Sequence, residues 1–181
     1  SNVSFDMTKK IIFLALIILS FQSCKTVKNK EFFTLYLVRH AEKDLSTDEF
    51  GDPDLTSCGR QRSEQLRNFL SDVKLDAVYS TDYIRTKKTA QPTASSKGLK
   101  IKEYKDNDLI AFSKTLIDAK QDVLVVGHSN TTGVLAGLLT GKEMGAFDLD
   151  IYDRIYQVII YKKKRRLQIF HSAFECKDSI F

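Results

Sequence analysis

Two histidines lie where apolar, strand-like sequences end, and a histidine side chain can act as a nucleophile or transfer a proton. His40 follows the run Leu35–Arg39, and His128 follows the run Val123–Gly127. Ligands bind at the carboxyl ends of strands in open α/β sheets, so we expect both imidazoles to face one pocket. The third histidine of the chain, His171, closes a further strand sequence, and we interpret it as structural.

Two arginines occupy similar positions and favour an anionic ligand. Arg39 precedes His40, and Arg85 lies near the start of a predicted helix, where its side chain leans back toward the sheet. The alternative for Arg85 is a surface residue in a strongly charged stretch. Gly127 permits a close backbone approach, and we expect a helix beginning near Ser129 to direct N–H groups at the same place. A phosphate group suits this set, with Arg39, Arg85, His128 and Ser129 binding it.

Other chemistries fit the sequence less well. No Cys/His cluster with metal-ligand spacing is present, so we expect no metal ion, and nothing in the sequence calls for a cofactor. Ser129 does not lie in a G-x-S-x-G sequence, which argues against a serine hydrolase.

Strand-like and helix-like segments alternate along the chain, as in an α/β fold. Strands are predicted at 33–38, 76–80, 100–104 and 123–126. Helices are predicted to follow them, with N-caps at Thr56 or Ser57, Thr81 or Asp82, Asp106 or Asn107, and Ser129 or Asn130. The second helix is expected to bend or end near Pro92, and the fourth to end at Gly141. These elements predict one domain over 33–181, a three-layer αβα sandwich on a mostly parallel sheet.

The sequence closes with a predicted hairpin of strands 155–161 and 167–171, joined through five basic residues, Lys162 to Arg166. A solvated turn is the simpler interpretation of this run, and contact with lipid headgroups is the alternative. Cys58 and Cys176 could form a disulfide, but the sequence does not give their separation.

The first 24 residues differ from the rest. Lys9 and Lys10 precede the apolar run Ile11–Leu19, which is too short to span a bilayer, and a small residue then precedes Cys24. This pattern resembles a bacterial lipoprotein signal, which implies cleavage before Cys24, lipid on its thiol and a tether over 25–32. An uncleaved anchor is the alternative. We therefore expect export and lipid anchoring to a bacterial membrane, facing the periplasm or the exterior.

The formal charge of the chain is mildly positive. Removal of residues 1–23 takes away two lysines and one aspartate, which lowers the charge from +5 to +4. Such a charge favours anionic ligands or anionic membrane surfaces and gives no indication of nucleic-acid binding.

Four sequence blocks, taken together, resemble the histidine phosphatase superfamily, also called phosphoglycerate mutase-like. They are Arg39–Glu42, Leu55–Gly59, Ser80–Thr86 with Thr89–Ala90, and Gly127–Asn130, in the order typical of the family. The resemblance implies the fold of that family and a phosphomonoester or phosphohistidine hydrolase. It also implies that His40 forms a phosphohistidine, with Arg39, Arg85 and a protonated His128 completing the phosphate pocket.

The acid that protonates the leaving group is the least defined role. Many members of this family use a carboxylate from the middle of the chain or one directly after the second histidine, and this chain has Ser129 at the latter position. Asp106, Asp108 and Glu42 are the candidates, and we prefer Asp108. Each also has a structural interpretation: Asp106 as a helix cap, Asp108 as a partner of the helix dipole and Glu42 as a partner of Lys43.

Two other functions are compatible with the sequence. A phosphoglycerate mutase-type phosphotransferase must hold a bisphosphate intermediate away from water, and the chain has no evident long lid insertion. A noncatalytic, anion-binding lipoprotein would need the arginines but not a nucleophile.

Overall fold

A six-stranded sheet forms the centre of the computed structural model, which describes residues 31–46 and 51–176. The strands are β1 (Phe32–Arg39), β2 (Ala77–Ser80), β3 (Ile101–Glu103), β4 (Val123–Gly127), β5 (Arg154–Tyr161) and β6 (Lys164–His171). Their order across the sheet is β3-β2-β4-β1-β5-β6. The first four strands in this order pair in parallel, whereas β5 and β6 pair antiparallel, which confirms the mostly parallel sheet.

Four helices cover the two faces of the sheet: α1 (Ser57–Phe69), α2 (Ile84–Ser96), α3 (Leu109–Ala119) and α4 (Thr132–Thr140). Alternate residues of β1 serve separate cores, as the two-residue period of a strand requires. Leu35 and Leu37 pack with α3 and α4, whereas Tyr36 and Val38 pack with α1 and α2. The predicted three-layer αβα sandwich is therefore confirmed.

The pairing of β1 with β4 brings the two histidines together. Arg39 lies opposite Gly127 in the parallel register, so His40 and His128 each follow the last paired position. The backbone N–H of His40 donates to the carbonyl of Gly127 at 2.9 Å. Both strands are almost wholly buried, because each has helices on both faces.

Two predicted helix ends agree with the structure. The Thr56 hydroxyl accepts the N–H of Gly59 at 2.9 Å and caps α1. Gly141 ends α4 in the left-handed conformation, with a φ of 70°.

Other predicted helix ends were wrong. Tyr83, not Thr81 or Asp82, is the N-cap of α2, and it makes no side-chain capping bond. The carboxylate of Asp52, from a distant loop, instead accepts the first N–H of that helix, from Ile84, at 3.0 Å. Helix α2 also continues through Pro92 to Ser96, so it does not end at Pro92, and the bend predicted there as the alternative stays a prediction.

The predicted starts of the last two helices were wrong as well. Asp108 rather than Asp106 or Asn107 caps α3, because its side chain accepts the N–H of Ala111. Helix α4 begins at Thr132 rather than at Ser129 or Asn130, since a turn over residues 129–131 precedes it.

The final hairpin is tighter than predicted. Only Lys162 and Lys163 lie in the turn, while Lys164 to Arg166 belong to β6 and pair with Ile159 to Tyr161 of β5. Lys162 takes up the positive φ, 53°, that a two-residue turn requires.

The ends of the domain show two further features. Phe32, assigned to the tether in the sequence, is the first residue of β1. Cys58 of α1 and Cys176, beyond β6, form a disulfide with their Cα atoms 5.7 Å apart. The predicted signal and Cys24 lie outside the described residues. In the described part, no helix has the length and apolar character needed to cross a membrane.

Candidate active site

The imidazole of His40 is buried and held by a backbone carbonyl. Its Nδ1 lies 2.7 Å from the Ala41 oxygen, and because a carbonyl only accepts, Nδ1 carries the proton. The other ring nitrogen, Nε2, is then an unprotonated nucleophile. Burial, with the nearby Arg39 adding to it, lowers the pKa of His40 to about 3, so the ring is neutral at physiological pH. His40 is thus prepared to attack without first losing a proton.

His128 lies beside it, with the two ring centroids 5.5 Å apart. The Nε2 of His128 is 2.9 Å from the Thr81 hydroxyl, which donates in turn to the hydroxyl of Thr86. The Nε2–H of His128 therefore donates to Thr81. Burial and the charge of Arg85 lower the pKa of His128 to about 4. The ring is therefore neutral in the free protein, and a protonated His128 beside a bound phosphate stays a prediction.

Arg39 is anchored by the segment that precedes β5. Its Nη1 donates to the carbonyls of Leu149 and Ile151, at 2.7 and 2.9 Å, and its guanidinium stacks on the ring of Tyr152 at 3.9 Å. The same Tyr152 ring meets His40 edge-on. The carbonyl and ring contacts hold the guanidinium in one orientation beside the nucleophile.

Arg85 is held in a similar way from the start of α2. Its Nη1 pairs with Asp52 at 3.2 Å, and its guanidinium lies over the ring of Tyr83 at 4.3 Å. The Tyr83 ring meets His128 edge-on with centroids 5.0 Å apart. The alternative of a surface arginine is thereby ruled out, since the Arg85 side chain is largely buried.

Both guanidinium groups keep an unused donor. The Nε atoms of Arg39 and Arg85 are buried without a hydrogen-bond partner among the described residues. A buried donor without a partner is unfavourable and calls for a ligand or water. Two such donors beside two histidines suit the oxygens of a phosphate group.

The structure places the three candidate carboxylates differently. Asp106 lies nearest, with its Oδ2 3.7 Å from Nε2 of His128. Asp108 does not approach the histidines in any described contact, because its carboxylate caps α3. Glu42 forms a paired set of hydrogen bonds with Arg62, the shortest 2.6 Å, rather than the expected pair with Lys43. The prediction that Asp108 lies at the histidines was therefore wrong, and Asp106 is the candidate that lies there.

The turn after β4 depends on a residue without a side chain. A Cβ on Gly127 would lie 2.7 Å from the Tyr104 hydroxyl and 2.9 Å from the Thr131 hydroxyl. The N–H groups of Thr131 and Thr132 both donate to the carbonyl of His128, so they are not directed at a ligand. Ser129 is buried in this turn, and its predicted role in phosphate binding stays a prediction.

The sequence itself matches a family model over residues 35–114, and the description of that model is histidine phosphatase superfamily, branch 1. Over this range, 80 of its 181 residues, the chain is similar to the histidine phosphatase superfamily. The matched range holds His40, both arginines and Asp106, whereas His128 lies beyond it. No curated protein matches the chain at a significant level.

Solved structures of several phosphatases share the fold. The protein histidine phosphatase SixA, complexed with tungstate, is 17% identical with a TM-score of 0.65, covering 77% of this chain and 97% of its own. The alpha-ribazole phosphatase from Shigella flexneri is 18% identical with a TM-score of 0.61, covering 81% and 100%. A mycobacterial glucosyl-3-phosphoglycerate phosphatase is 12% identical with a TM-score of 0.61, covering 78% and 100%. At these identities the comparison supports the fold.

Four residues that the structure places at this site were missed in the sequence: Tyr83, Tyr152, Thr81 and Asp52. Tyr83 lies two residues before Arg85 and could have been noticed. Asp52 and Tyr152 come from loops whose contacts depend on the folded chain, and no local pattern marks them.

Proposed function

We propose that this protein hydrolyses phosphomonoesters or phosphohistidine through a phosphohistidine intermediate on His40. The observation that supports this most directly is the state of the His40 ring. Its Nδ1–H is occupied by the Ala41 carbonyl, and its depressed pKa keeps Nε2 unprotonated. A protein that only binds phosphate does not require a neutral, oriented histidine beside two arginines.

In the first step, Nε2 of His40 attacks phosphorus as the bond from phosphorus to the leaving oxygen breaks. Arg39 and Arg85 bind the non-bridging oxygens, where their unpartnered Nε–H groups donate. The dianionic phosphate also raises the pKa of His128, because an opposite charge nearby favours the imidazolium form.

Asp106 completes the step as the proton donor. Its Oδ2 lies 3.7 Å from Nε2 of His128, and in the proposed step Asp106 gives a proton to the leaving oxygen. In the second step, water attacks the phosphohistidine, Asp106 takes a proton from that water, and Nε2 of His40 leaves as the free base. Phosphate and the starting enzyme result, so protons and charges balance over the cycle.

Replacement of the nucleophile tests the proposal. The His40→Ala variant should release no p-nitrophenol from p-nitrophenyl phosphate. It should also retain no radiolabelled phosphate after an alkaline quench, which preserves the phosphorus–nitrogen bond of a phosphohistidine. The matched control is His171→Ala, because His171 is exposed and lies at the end of β6. Turnover by His40→Ala near the level of the unmodified chain would contradict the proposal.

A panel of phosphoprotein, sugar phosphate, nucleotide and inositol phosphate identifies the class of substrate. The His40→Ala variant serves as the blank in each assay. Values of kcat/KM within the panel rank the classes, since kcat/KM measures discrimination between competing substrates.

We also propose that the protein is exported and held at a bacterial membrane by lipid on Cys24. The lipoprotein-like sequence before Cys24 and the Cys58–Cys176 disulfide support this, because disulfides persist in oxidising compartments. Mass spectrometry of the processed N-terminus tests it. The expected product begins at Cys24 with added acyl mass, and Cys24→Ser should abolish the modification. An unmodified Cys24 in the native host would refute the lipid anchor.

A further inference from the structure

We propose that the end of the sheet opposite the histidines docks on an anionic lipid surface, through the tip of the β5–β6 hairpin and its aromatic neighbours. This docking surface consists of Phe32, Tyr161, Lys162, Lys163 and Lys164. The proposal rests on the membrane attachment proposed above, and it adds the orientation of the domain.

The chain enters the domain next to the hairpin tip. Phe32, the first residue of β1, pairs with Tyr161, the last residue of β5. The backbone N–H of Lys162 donates to the carbonyl of Glu31 at 3.0 Å. A tether that joins the domain to a membrane therefore ends beside this tip, and the tip is the part of the domain brought closest to the bilayer.

The charge of the tip suits anionic headgroups. Lys162, Lys163 and Lys164 are consecutive and exposed, and Arg166 is exposed two residues further along β6. Lys162 and Arg165 also line, with Lys120, a cleft of about 170 Å³ in which Glu31 is the acidic residue. The tether sequence adds Lys25, Lys28 and Lys30. Clusters of basic residues beside an anchor are attracted to anionic lipids.

Two exposed aromatic rings lie among these charges. Phe32 is 53% exposed and Tyr161 is 43% exposed, and as directly opposed residues of an antiparallel pair they share one face of the sheet. The ammonium group of Lys162 lies 5.4 Å from the Tyr161 ring. Aromatic rings mixed with basic residues are typical of surfaces that lie at the boundary between headgroups and acyl chains. A purely solvated turn would not need them.

The docked orientation points the catalytic pocket away from the bilayer. His40 follows the other end of β1, and eight residues of strand span about 26 Å. The pocket would then face soluble phosphorylated substrates rather than lipid headgroups.

A tryptophan reporter tests the docking, because the chain has none of its own. The full-length Tyr161→Trp chain, called the tip reporter, is mixed with vesicles of phosphatidylcholine alone or with about one third phosphatidylglycerol. In the anionic vesicles we expect a blue-shifted emission and quenching by brominated acyl chains. The Ile110→Trp chain, called the pocket-end reporter, is the control. Its tryptophan lies at an exposed site at the start of α3, and its emission should change with neither kind of vesicle.

Charge variants identify the contact. Lys163→Gln, Lys164→Gln and Arg166→Gln, combined in the tip reporter, should reverse its emission shift and reduce the affinity for anionic vesicles on the order of 100-fold. The matched triple variant Lys102→Gln, Lys114→Gln and Lys142→Gln removes the same charge from exposed positions elsewhere and should change the affinity little.

The outcomes separate anchoring from docking. Co-sedimentation with neutral vesicles measures the anchor, whereas the emission of the tip reporter measures contact of the tip. A chain that co-sediments with anionic vesicles while the tip reporter stays unchanged would overturn the docking proposal and leave the anchor standing. An equal response of the tip reporter and the pocket-end reporter would overturn it too. A third result would also overturn the proposal: the emission of the tip reporter shifts when an acidic protein is added and does not shift with either kind of vesicle.

Discussion

At the scale of single residues, the two nearby aspartates have different roles: we assign catalysis to Asp106 and helix capping to Asp108. Asp106 lies 3.7 Å from His128, whereas the Asp108 side chain caps α3. We expect Asp106→Asn to slow hydrolysis of alkyl phosphates by about 10²- to 10⁴-fold, the usual contribution of a general acid. Hydrolysis of p-nitrophenyl phosphate should fall less, since its leaving group needs no proton. Steady-state kinetics on both esters measure this difference.

The matched control is Asp108→Asn, which keeps the length of the side chain and retains an amide oxygen that can accept a hydrogen bond. It should leave both rates within about twofold, and Asp108→Ala should cost about 1 kcal/mol of stability through the lost cap. Equal losses in both esters for Asp106→Asn would show that Asp106 is not the proton donor.

The lowered pKa values of His40 and His128 predict a pH-dependent stability. Both rings are neutral when folded at pH 5, because their pKa values are about 3 and about 4. The unfolded chain binds protons on them below about pH 6.5, so the free energy of unfolding falls as the pH drops. From pH 7 to pH 5 we expect a loss of about 2 kcal/mol for each histidine.

Urea unfolding at the two pH values measures this loss. The double variant His40→Asn and His128→Asn should lose most of the pH dependence, while His171→Asn, at an exposed position, should retain it. NMR of the imidazole C–H groups gives a second test. Titration of His40 or His128 between pH 5 and pH 8 would contradict the assignment of neutral, buried rings.

At the scale of elements, the positions of the histidines could be predicted because β1 and β4 are near-continuous apolar runs. Such runs predict buried parallel strands, and each run ends next to its histidine. The roles of the carboxylates and of Tyr152 were harder to predict, because they depend on contacts between distant segments. Asp52 reaches Ile84 and Arg85 across more than thirty positions, and Tyr152 reaches Arg39 across more than a hundred. No local spacing records these contacts.

The turn from β4 to α4 gives a prediction about one element. Gly127→Ala should destabilise the protein by about 1–3 kcal/mol and lower kcat, because the new Cβ would displace the Tyr104 or Thr131 hydroxyl and with it the His128 backbone. Thermal unfolding and phosphatase kinetics measure the two effects. In the Tyr104→Phe background, which removes one of the two hydroxyls, the same substitution should cost less. A cost that is the same in both backgrounds would exclude the Tyr104 contact as a cause.

At the scale of the whole molecule, the sheet separates two ends of different chemistry. The carboxyl ends of β1 and β4 carry the histidines, and the opposite end carries the entry of the chain and the basic hairpin tip. The fold class could be predicted from the alternation of elements and from the four sequence blocks. The hairpin register could not, because Lys164 to Arg166 are too polar to be distinguished from a turn until β5 is in place beside them.

The Cys58–Cys176 disulfide ties the end of the domain to α1 and gives the last prediction. It closes a loop of 118 residues, and Arg62 of α1 contacts Phe174 in the same C-terminal segment. Cross-linking a long loop restricts the unfolded chain, so the variant Cys58→Ser with Cys176→Ser should lose about 2–4 kcal/mol of stability. Neither cysteine contacts His40 or His128 among the described residues, so kcat at 25 °C should stay within about twofold. Reduction of the unmodified protein should give the same loss of stability in urea unfolding, and should have no effect on the variant. A variant as stable as the oxidised protein would show that the bond does not stabilise the fold, whereas a loss of kcat without a loss of stability would place the C-terminal segment in the catalytic site.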